Sequence, residues 1–389
     1  MFKPLFKPIY SAYLVRPGYI RIGQSTDLGM EIEDETGIFL DLILQLNGIK
    51  GLEEICQTLI KKYPNVTNEE VLNAIEELNQ MGFISNAELE EKCMLSSEKR
   101  NRYKGNLNFF LHYSGIENSA ISHQIKLNHS RVVILGMGAF GCGLLMNLAG
   151  LGVEHVRIVD FDTIELSNLN RQFLFRENDI GLAKIEAAKN SILGLNSNME
   201  IDIVNKKIDS TEVVIELIKD YDCVILAADQ PLMQIQRWVN SACVKLKKVF
   251  MSGSIYLNRG VFTTIIPDET PCFDCMLFEN GEPNLTLINE MERFVNTNYM
   301  PPNTATAPGT LMITSMIIQD LCKLLTGISP PISLGKTIRF DIMTFSKKEI
   351  PWKEREVKNC PTCGEGKHYQ HIFNSLDKEE WANRPFIER

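Results

Sequence analysis

RVVILGMGAFG (131–141), VRIVDFDTIELSNLNRQFLFR (156–176) and DIGLAK (179–184) follow one another within a single stretch of the chain. An apolar run ends at Gly136, and Gly136, Gly138 and Gly141 open a helical pattern. Glycines there let backbone N–H groups approach a polyphosphate at a helix N-terminus, where the dipole favours negative charge. A second apolar run, Val156 to Val159, ends in Asp160, a position from which a carboxylate can hold a ribose hydroxyl. Taken alone, this much fits a nicotinamide-binding Rossmann domain as well as any other nucleotide site.

The residues that follow narrow the choice. A dehydrogenase has no need of Asn168, Arg171 and Gln172 crowded into SNLNRQ, with Lys184 thirteen positions beyond Arg171. An arginine and a lysine converging on a glycine-lined helix terminus suit a triphosphate whose charge develops during nucleotidyl transfer. A further apolar run, CVILAA, leads to Asp229, placed to hold Mg2+ beside phosphates. The spacing Asp160–Asn168–Arg171–Gln172–Lys184, with Asp229 after a later strand, resembles the ThiF/MoeB adenylyltransferases and ubiquitin-activating enzymes over roughly Arg100 to Gly364.

That resemblance implies ATP (or CTP) bound by Gly136, Gly138, Gly141, Asp160, Asn168, Arg171, Gln172, Lys184 and Asp229. The same resemblance implies catalytic roles for Arg171, Lys184 and Asp229, and a twofold dimer. It also implies an α/β fold, a Rossmann-like doubly wound and mostly parallel sheet. Alternation of strand and helix patterns independently predicts parallel strands at 131–136, 155–160, 200–205, 222–227 and 248–253. Antiparallel additions are expected at 260–266 and 337–344. One departure stands out. Many relatives carry an R-Y-x-R motif whose second arginine reaches the neighbouring subunit's phosphates. Here the stretch is Arg102-Tyr103-Lys104-Gly105, leaving Arg100, Arg102 or Lys104 as substitutes.

Two CxxC knuckles, Cys272-Phe273-Asp274-Cys275 and Cys360-Pro361-Thr362-Cys363, place paired thiolates on tight turns. Two such pairs complete a tetrahedral Zn2+ shell with no open position, hence a structural metal. A redox CxxC is the weaker alternative. His368 and His371 lie nearby but are expected in a solvated tail. Cys142, Cys223, Cys243 and Cys322 sit in apolar runs, where inert buried thiols are the usual outcome. Ubiquitin-activating relatives use a nucleophilic cysteine downstream of the first knuckle, yet Met276 to Ala307 contains none. That absence argues against a thioester relay. The segment Thr304 to Gly309 resembles the part of the family that closes the active site, with Asn303 or Thr306 as candidates to touch substrate.

The first ninety or so residues form a separate unit, so the expected domains are 1–92 and 93–389, with a charge-rich linker at 90–104. Short strands at 19–22 and 29–33 precede helical patterns at 36–46, 52–62 and 68–81, a winged-helix-like α+β outline. The third helix, NEEVLNAIEELNQ, carries four glutamates and no Lys or Arg, unlike a helix that enters a DNA groove. YIRIGQS, GMEIEDETGIFLDLILQLNG and EELNQMGFI resemble the PqqD-related recognition domain of ribosomal-peptide-modifying enzymes. What this implies is a precursor peptide whose leader adds as a strand to an exposed sheet edge.

The chain has 389 residues, 44% hydrophobic and 23% charged, the make-up of a globular protein with ample core. A net charge of −9 argues against nucleic acid as main partner. MFKPLFKPIYSAYLV lacks the unbroken apolar core of a signal peptide. The apolar stretch Leu311 to Leu325 is interrupted by Gln319, Asp320 and Lys323, so no membrane span is expected and a cytoplasmic location is the simplest. The resemblances together imply adenylylation of a carboxylate on a ribosomal precursor peptide, as in the microcin C and pantocin types, with direct capture of the acyl-adenylate. The alternatives are activation of a ubiquitin-like sulfur carrier and non-catalytic leader docking for a heterocycle-forming enzyme.

Overall fold

The computed structural model describes residues 2–23, 29–231, 233–296 and 302–373, with side chains described outside 291–296. It divides into two compact units, Met1–Lys126 and Leu127–Arg389.

In the first unit, strands Ala12–Arg16, Tyr19–Ile22 and Met30–Glu33 form an antiparallel sheet in chain order. Helices Ile38–Gln45, Leu52–Lys62 and Asn68–Gln80 follow. Asp34 starts the first by accepting from the N–H groups of Phe39 and Leu40 at 3.1 and 3.0 Å. Thr67 and Glu70 form a capping box on the third, each side chain satisfying the other's orphan N–H. The helices bury Leu42, Ile55, Leu59, Val71, Ile75 and Leu78 against Ile20 and Ile22 of the sheet. Among the elements that the sequence pattern did not show, Pro4–Phe6 pairs with Ile84–Asn86, three residues each and too short for any periodicity to register. Residues 90–104, expected as a linker, are instead largely helical, within Ala87–Lys92 and Ser97–Arg102. Arg100 explains part of this, since its guanidinium donates to the carbonyls of Glu90, Cys93 and Leu95 and ties the two helices together.

The second unit is built on an eight-stranded sheet. Arg131–Leu135 is flanked by His155–Val159 and then Glu200–Val204 on one side. On its other side stand Cys223–Leu226 and Val249–Tyr256. These five strands are parallel, and their order is that of a doubly wound fold whose direction reverses between the first and fourth. Arg259–Ile265, Lys336–Asp341 and Ser346–Pro351 extend the sheet as an antiparallel wing. All five parallel strands and the first two of the wing lie where the sequence pattern put them. The final strand was missed because SKKEIP is an exposed edge strand whose lysines hide the alternation. Helix Ala307–Thr326 also answers a question of composition: Asp320, 1% exposed, accepts from Ile332 N–H, Ser333 N–H, Ser333 Oγ and Lys323 Nζ. A polar residue in an apolar helix thus pins the following loop. Among the described residues no helix is long and apolar enough to cross a membrane.

Candidate active site and metal centre

The carboxyl ends of the parallel strands carry the site. Gly136 ends its strand at φ +105°, and a Cβ there would sit 2.6 Å from the backbone nitrogen of Ala228. The first and fourth strands therefore approach so closely at the switch point that only glycine fits. A Cβ at Gly141 would meet the carbonyl oxygen of Gly136 at 2.1 Å. Gly138 begins helix Ala139–Leu151 with no side chain bonded over the end, leaving its N–H groups directed at the crevice.

Asp160 braces this loop. One carboxylate oxygen accepts from Met137 N–H at 2.5 Å and the other from Asp162 N–H at 2.8 Å. Asp162 in turn accepts from Lys184 Nζ at 2.8 Å, and its carbonyl accepts from Lys184 N–H at 3.0 Å. Lys184 is therefore held at the start of helix Lys184–Leu195, with only 9% of its side chain exposed. Asp229 is open to solvent yet crowded by protein, which raises its carboxyl above the ordinary carboxylate value. Lys184 opposes that shift and Asp162 adds to it, so the three groups share one field.

Asn168, Arg171 and Gln172 come together on the turn that follows. Asn168 closes the turn, its side-chain oxygen accepting from Glu165 N–H at 3.1 Å. Arg171 spends Nη1 on Ser167 O and Asn170 Oδ1, both at 2.8 Å, while its buried Nε is unbonded. The buried Oε1 of Gln172 is also unbonded, and its amide faces Gly138. One orphan donor and one orphan acceptor beside a glycine loop fit a nucleotide, which supplies phosphate oxygens and N–H or O–H donors. Every nucleotide-site residue expected from sequence thus belongs to this edge. Asp162 was overlooked; its N–H turns back onto Asp160 Oδ1 and its carboxylate pairs with Lys184.

Four sulfurs form a second centre. Cys272 lies 3.7 Å from Cys275 and from Cys360, and Cys275 lies 3.3 Å from Cys363. All four Sγ atoms fall within 4.8 Å of one another. Zn–S bonds of about 2.3 Å in a tetrahedron set sulfurs about 3.8 Å apart, so the cluster fits structural zinc. His368 and His371 stay outside it. Their segment is not wholly a solvated tail, because Phe373 is buried against Phe278 in the same cluster. Asp274, inside the first knuckle, is fully buried. It accepts from Arg237 Nε and Nη2 at 3.0 and 3.3 Å and from Thr362 Oγ1 of the second knuckle at 2.6 Å. The other thiols are spectators: burial pushes Cys142 up to about 12 and Cys322 up to about 11, and raises Cys223 and Cys243 as well.

Two further recesses exist. An open groove of about 600 Å³ lies at the amino ends of the parallel strands, opposite the glycine loop. Four of its charged or ionisable side chains are paired, Arg157 with Asp202 and His155 with Glu200. In the first unit a groove of about 310 Å³ runs beside Glu33, floored by Phe39, Leu42, Val71 and Ala74 and rimmed by Glu35 and Glu70.

The ThiF family model matches residues 110–362. The chain belongs to the ThiF family. This ThiF-family chain is 31% identical to the molybdopterin-synthase adenylyltransferase of Escherichia coli (strain K12), over 62% of its own length and 90% of that protein. It is 36% identical to the adenylyltransferase and sulfurtransferase MOCS3 of Culex quinquefasciatus over 43% of its length, and spans only 38% of that relative. Among solved structures it resembles E. coli MccB in a crystal with AMPCPP and MccA, at a TM-score of 0.73 and 22% identity, covering 93% of this chain and 99% of that one. PaaA gives a TM-score of 0.69 at 21% identity, covering 89% and 100%. At such identities the likeness is one of fold. It extends over nearly the whole chain, whereas the bacterial adenylyltransferase matches only part of it.

Proposed function

We propose that the protein is an ATP-dependent adenylyltransferase that activates a carboxylate on a ribosomally made precursor peptide. The observation that carries the nucleotide half is the orphaned Arg171 Nε and Gln172 Oε1 beside a loop where a Cβ at Gly136 or Gly141 would strike backbone. In this reading Gly136, Gly138 and Gly141 cradle the phosphates, Asp160 serves the ribose, and Asn168 and Gln172 line the nucleotide. Asp229 would hold Mg2+, which when bound supplies positive charge against the phosphate oxygens.

The reaction is then one displacement. A carboxylate oxygen of the peptide attacks the α-phosphorus, the bond to the α–β bridging oxygen breaks, and its electron pair leaves with pyrophosphate. Charge accumulating on the phosphate oxygens is met by Lys184 and Arg171, held in place before the nucleotide arrives. Met276 to Ala307 offers no cysteine, and the buried thiols are pushed toward the unreactive neutral form. The acyl-adenylate is therefore captured directly by a nucleophile of the peptide, giving an internal bond or a nucleotidylated product.

The peptide half rests on the first unit. Strand Met30–Glu33 leaves one edge unpaired among the described residues, beside the groove floored by Phe39, Leu42, Val71 and Ala74. An edge and an adjoining apolar groove suit a leader strand. Activation of a sulfur-carrier protein is the second reading, favoured by the 31% identity to the bacterial adenylyltransferase. One experiment separates them. The purified chain is incubated with ATP, Mg2+ and either a short peptide encoded beside its gene or a carrier ending in Gly-Gly, and the products are weighed by mass spectrometry. ATP-dependent modification of the peptide is expected. Adenylation of the carrier alone would overturn the proposal.

A further inference from the structure

The antiparallel wing bears a face that the proposed chemistry leaves unused. Its strands, from Val249–Tyr256 to Ser346–Pro351, are closed on one side by helix Ala307–Thr326. A Cβ at Gly253 or Gly260 would meet Ile317 or Ile313 of that helix at 2.6 or 2.1 Å. On the opposite side, register places Ser254, Val261, Arg339 and Lys348 in one row across the four strands. Tyr256, Arg259, Asp341 and Ser346 form the next row. Ser254, Tyr256, Arg259, Arg339 and Lys348 are all exposed.

Arg339 and Lys348 stand directly opposite each other on neighbouring strands. Like charges so placed disfavour the sheet. Neither has an acidic partner among the described residues. Glu349 is taken by Lys336 and Lys347, whose register puts them on the closed face. Asp341 accepts from Asn258 and from the N–H groups of Met343 and Thr344. An anion bound between the two cations would remove the repulsion.

The position of this face points to the occupant. Ser252 pairs in register with Leu226, three positions before Asp229, and the strand then continues to Tyr256, about 13 Å at a strand's rise per residue. The wing thus stands beyond the edge that holds the candidate active site. Arg339 and Lys348 lie three and four strands from the strand that leads to Asp229, roughly 14–19 Å, which about five residues of extended peptide would span. Two cations among serine, valine and tyrosine fit one carboxylate side chain on a mixed strand better than a run of phosphates, which needs a broad basic surface.

We infer that this face binds an extended peptide through a carboxylate side chain held by Arg339 and Lys348, about five residues from the group that reaches the Asp229 recess. The inference rests on the peptide reading above. Its test uses a fluorescein-labelled octapeptide of alternating Thr and Val with one Glu five residues from a free C-terminus, and its Gln twin. Fluorescence anisotropy with the full chain should show the Glu peptide binding roughly tenfold more tightly, with an advantage that shrinks as salt rises. The doubly substituted R339Q/K348Q chain should lose that advantage while its melting temperature holds or rises. Equal affinity for the twins, or a preference that survives the double substitution, overturns the inference. So does stronger competition by an oligothymidylate, or a change of oligomeric state in the double variant. Failure of the peptide reading would look different, as a Glu preference intact while no peptide supports pyrophosphate release.

Discussion

Replacing Lys184 by Met tests the nucleotide site with two readouts that the structure separates. The stability cost is small. The Lys184–Asp162 pair spans 2.8 Å, but half of the Asp162 side chain is in water. Without the ammonium, Asp162 is simply hydrated, and partly exposed pairs of this kind contribute about 1 kcal/mol or less. The Met side chain retains the apolar stem in its 9%-exposed position. Catalysis should respond on another scale. A cation preorganised beside developing phosphate charge contributes about 3 kcal/mol, so pyrophosphate release with the modified peptide should fall roughly a hundredfold or more. The assay is pyrophosphate release under saturating ATP and Mg2+, paired with thermal melting of the same preparation. A fall of less than tenfold with an unchanged melting temperature would refute the placement of Lys184 at the phosphates. A large fall in melting temperature would instead make the residue structural.

The same variant carries a pH signature. Burial raises the Asp229 carboxyl while Lys184 holds it down. A carboxyl that must be ionised to hold Mg2+ gives activity that is present above its pKa and lost as pH falls through it. Removing Lys184 removes the lowering influence, so the acidic limb of residual activity should move to higher pH. A limb that stays put would separate Asp229 from Lys184.

Four further outcomes are expected. Gly136→Ala combines a φ of +105° with a Cβ 2.6 Å from Ala228 N, which should cost about 3 kcal/mol or more and abolish nucleotide binding, read by melting and calorimetry. Elemental analysis should find zinc bound to the wild-type chain and missing from Cys360→Ala, and Asp274→Ala should destabilise by about 3–5 kcal/mol because it leaves the Arg237 guanidinium, 2% exposed, without a carboxylate against its charge. Lys7 is fully buried, donating only to His112 O at 3.2 Å, and burial lowers it to about 8. Its folded value lies below the unfolded one, so between about 8 and 10.4 the unfolded chain binds more protons and stability rises with pH, by about 3 kcal/mol in all. Lys7→Met should be more stable at pH 7 and show no such rise in denaturant titrations across that window.

What the sequence disclosed follows from how local each signal is. The parallel strands are buried runs such as VVIL (132–135), readable without any partner, and the glycines announce a crevice because nothing else fits it. The knuckles are equally local, two cysteines per turn. Asp162 stayed hidden because its role depends on Lys184 arriving from 22 positions away, and the helical nature of 90–104 because charge density there imitates a linker. Only the fold showed that Arg100 turns inward onto three backbone carbonyls. That use removes it as a simple replacement for the arginine that relatives place at the position of Gly105. Arg102 and Lys104, both exposed, keep that role open to them, and a Cβ at Gly105 would meet nothing within 4 Å.

Charge at the site explains why such a replacement matters. Asp160, Asp162 and Asp229 bring three carboxylates to the strand ends, against two cations, Lys184 and Arg171. Even before a triphosphate enters, the balance is therefore negative, and an ATP bound there through backbone N–H groups alone would meet a repelling field. A divalent cation held by Asp229 would reverse the sign locally. Lys184, paired here with Asp162, would then be the cation left to turn from that carboxylate toward phosphate oxygens. ATP affinity should consequently collapse without Mg2+ and recover in part in Asp162→Asn, where one repelling carboxylate is gone and Lys184 has lost its competitor. Titration calorimetry of ATP with and without Mg2+ on the two proteins measures this directly. An Asp162→Asn chain that binds metal-free ATP no better than the wild type would mean that Asp162 and Lys184 serve the fold alone.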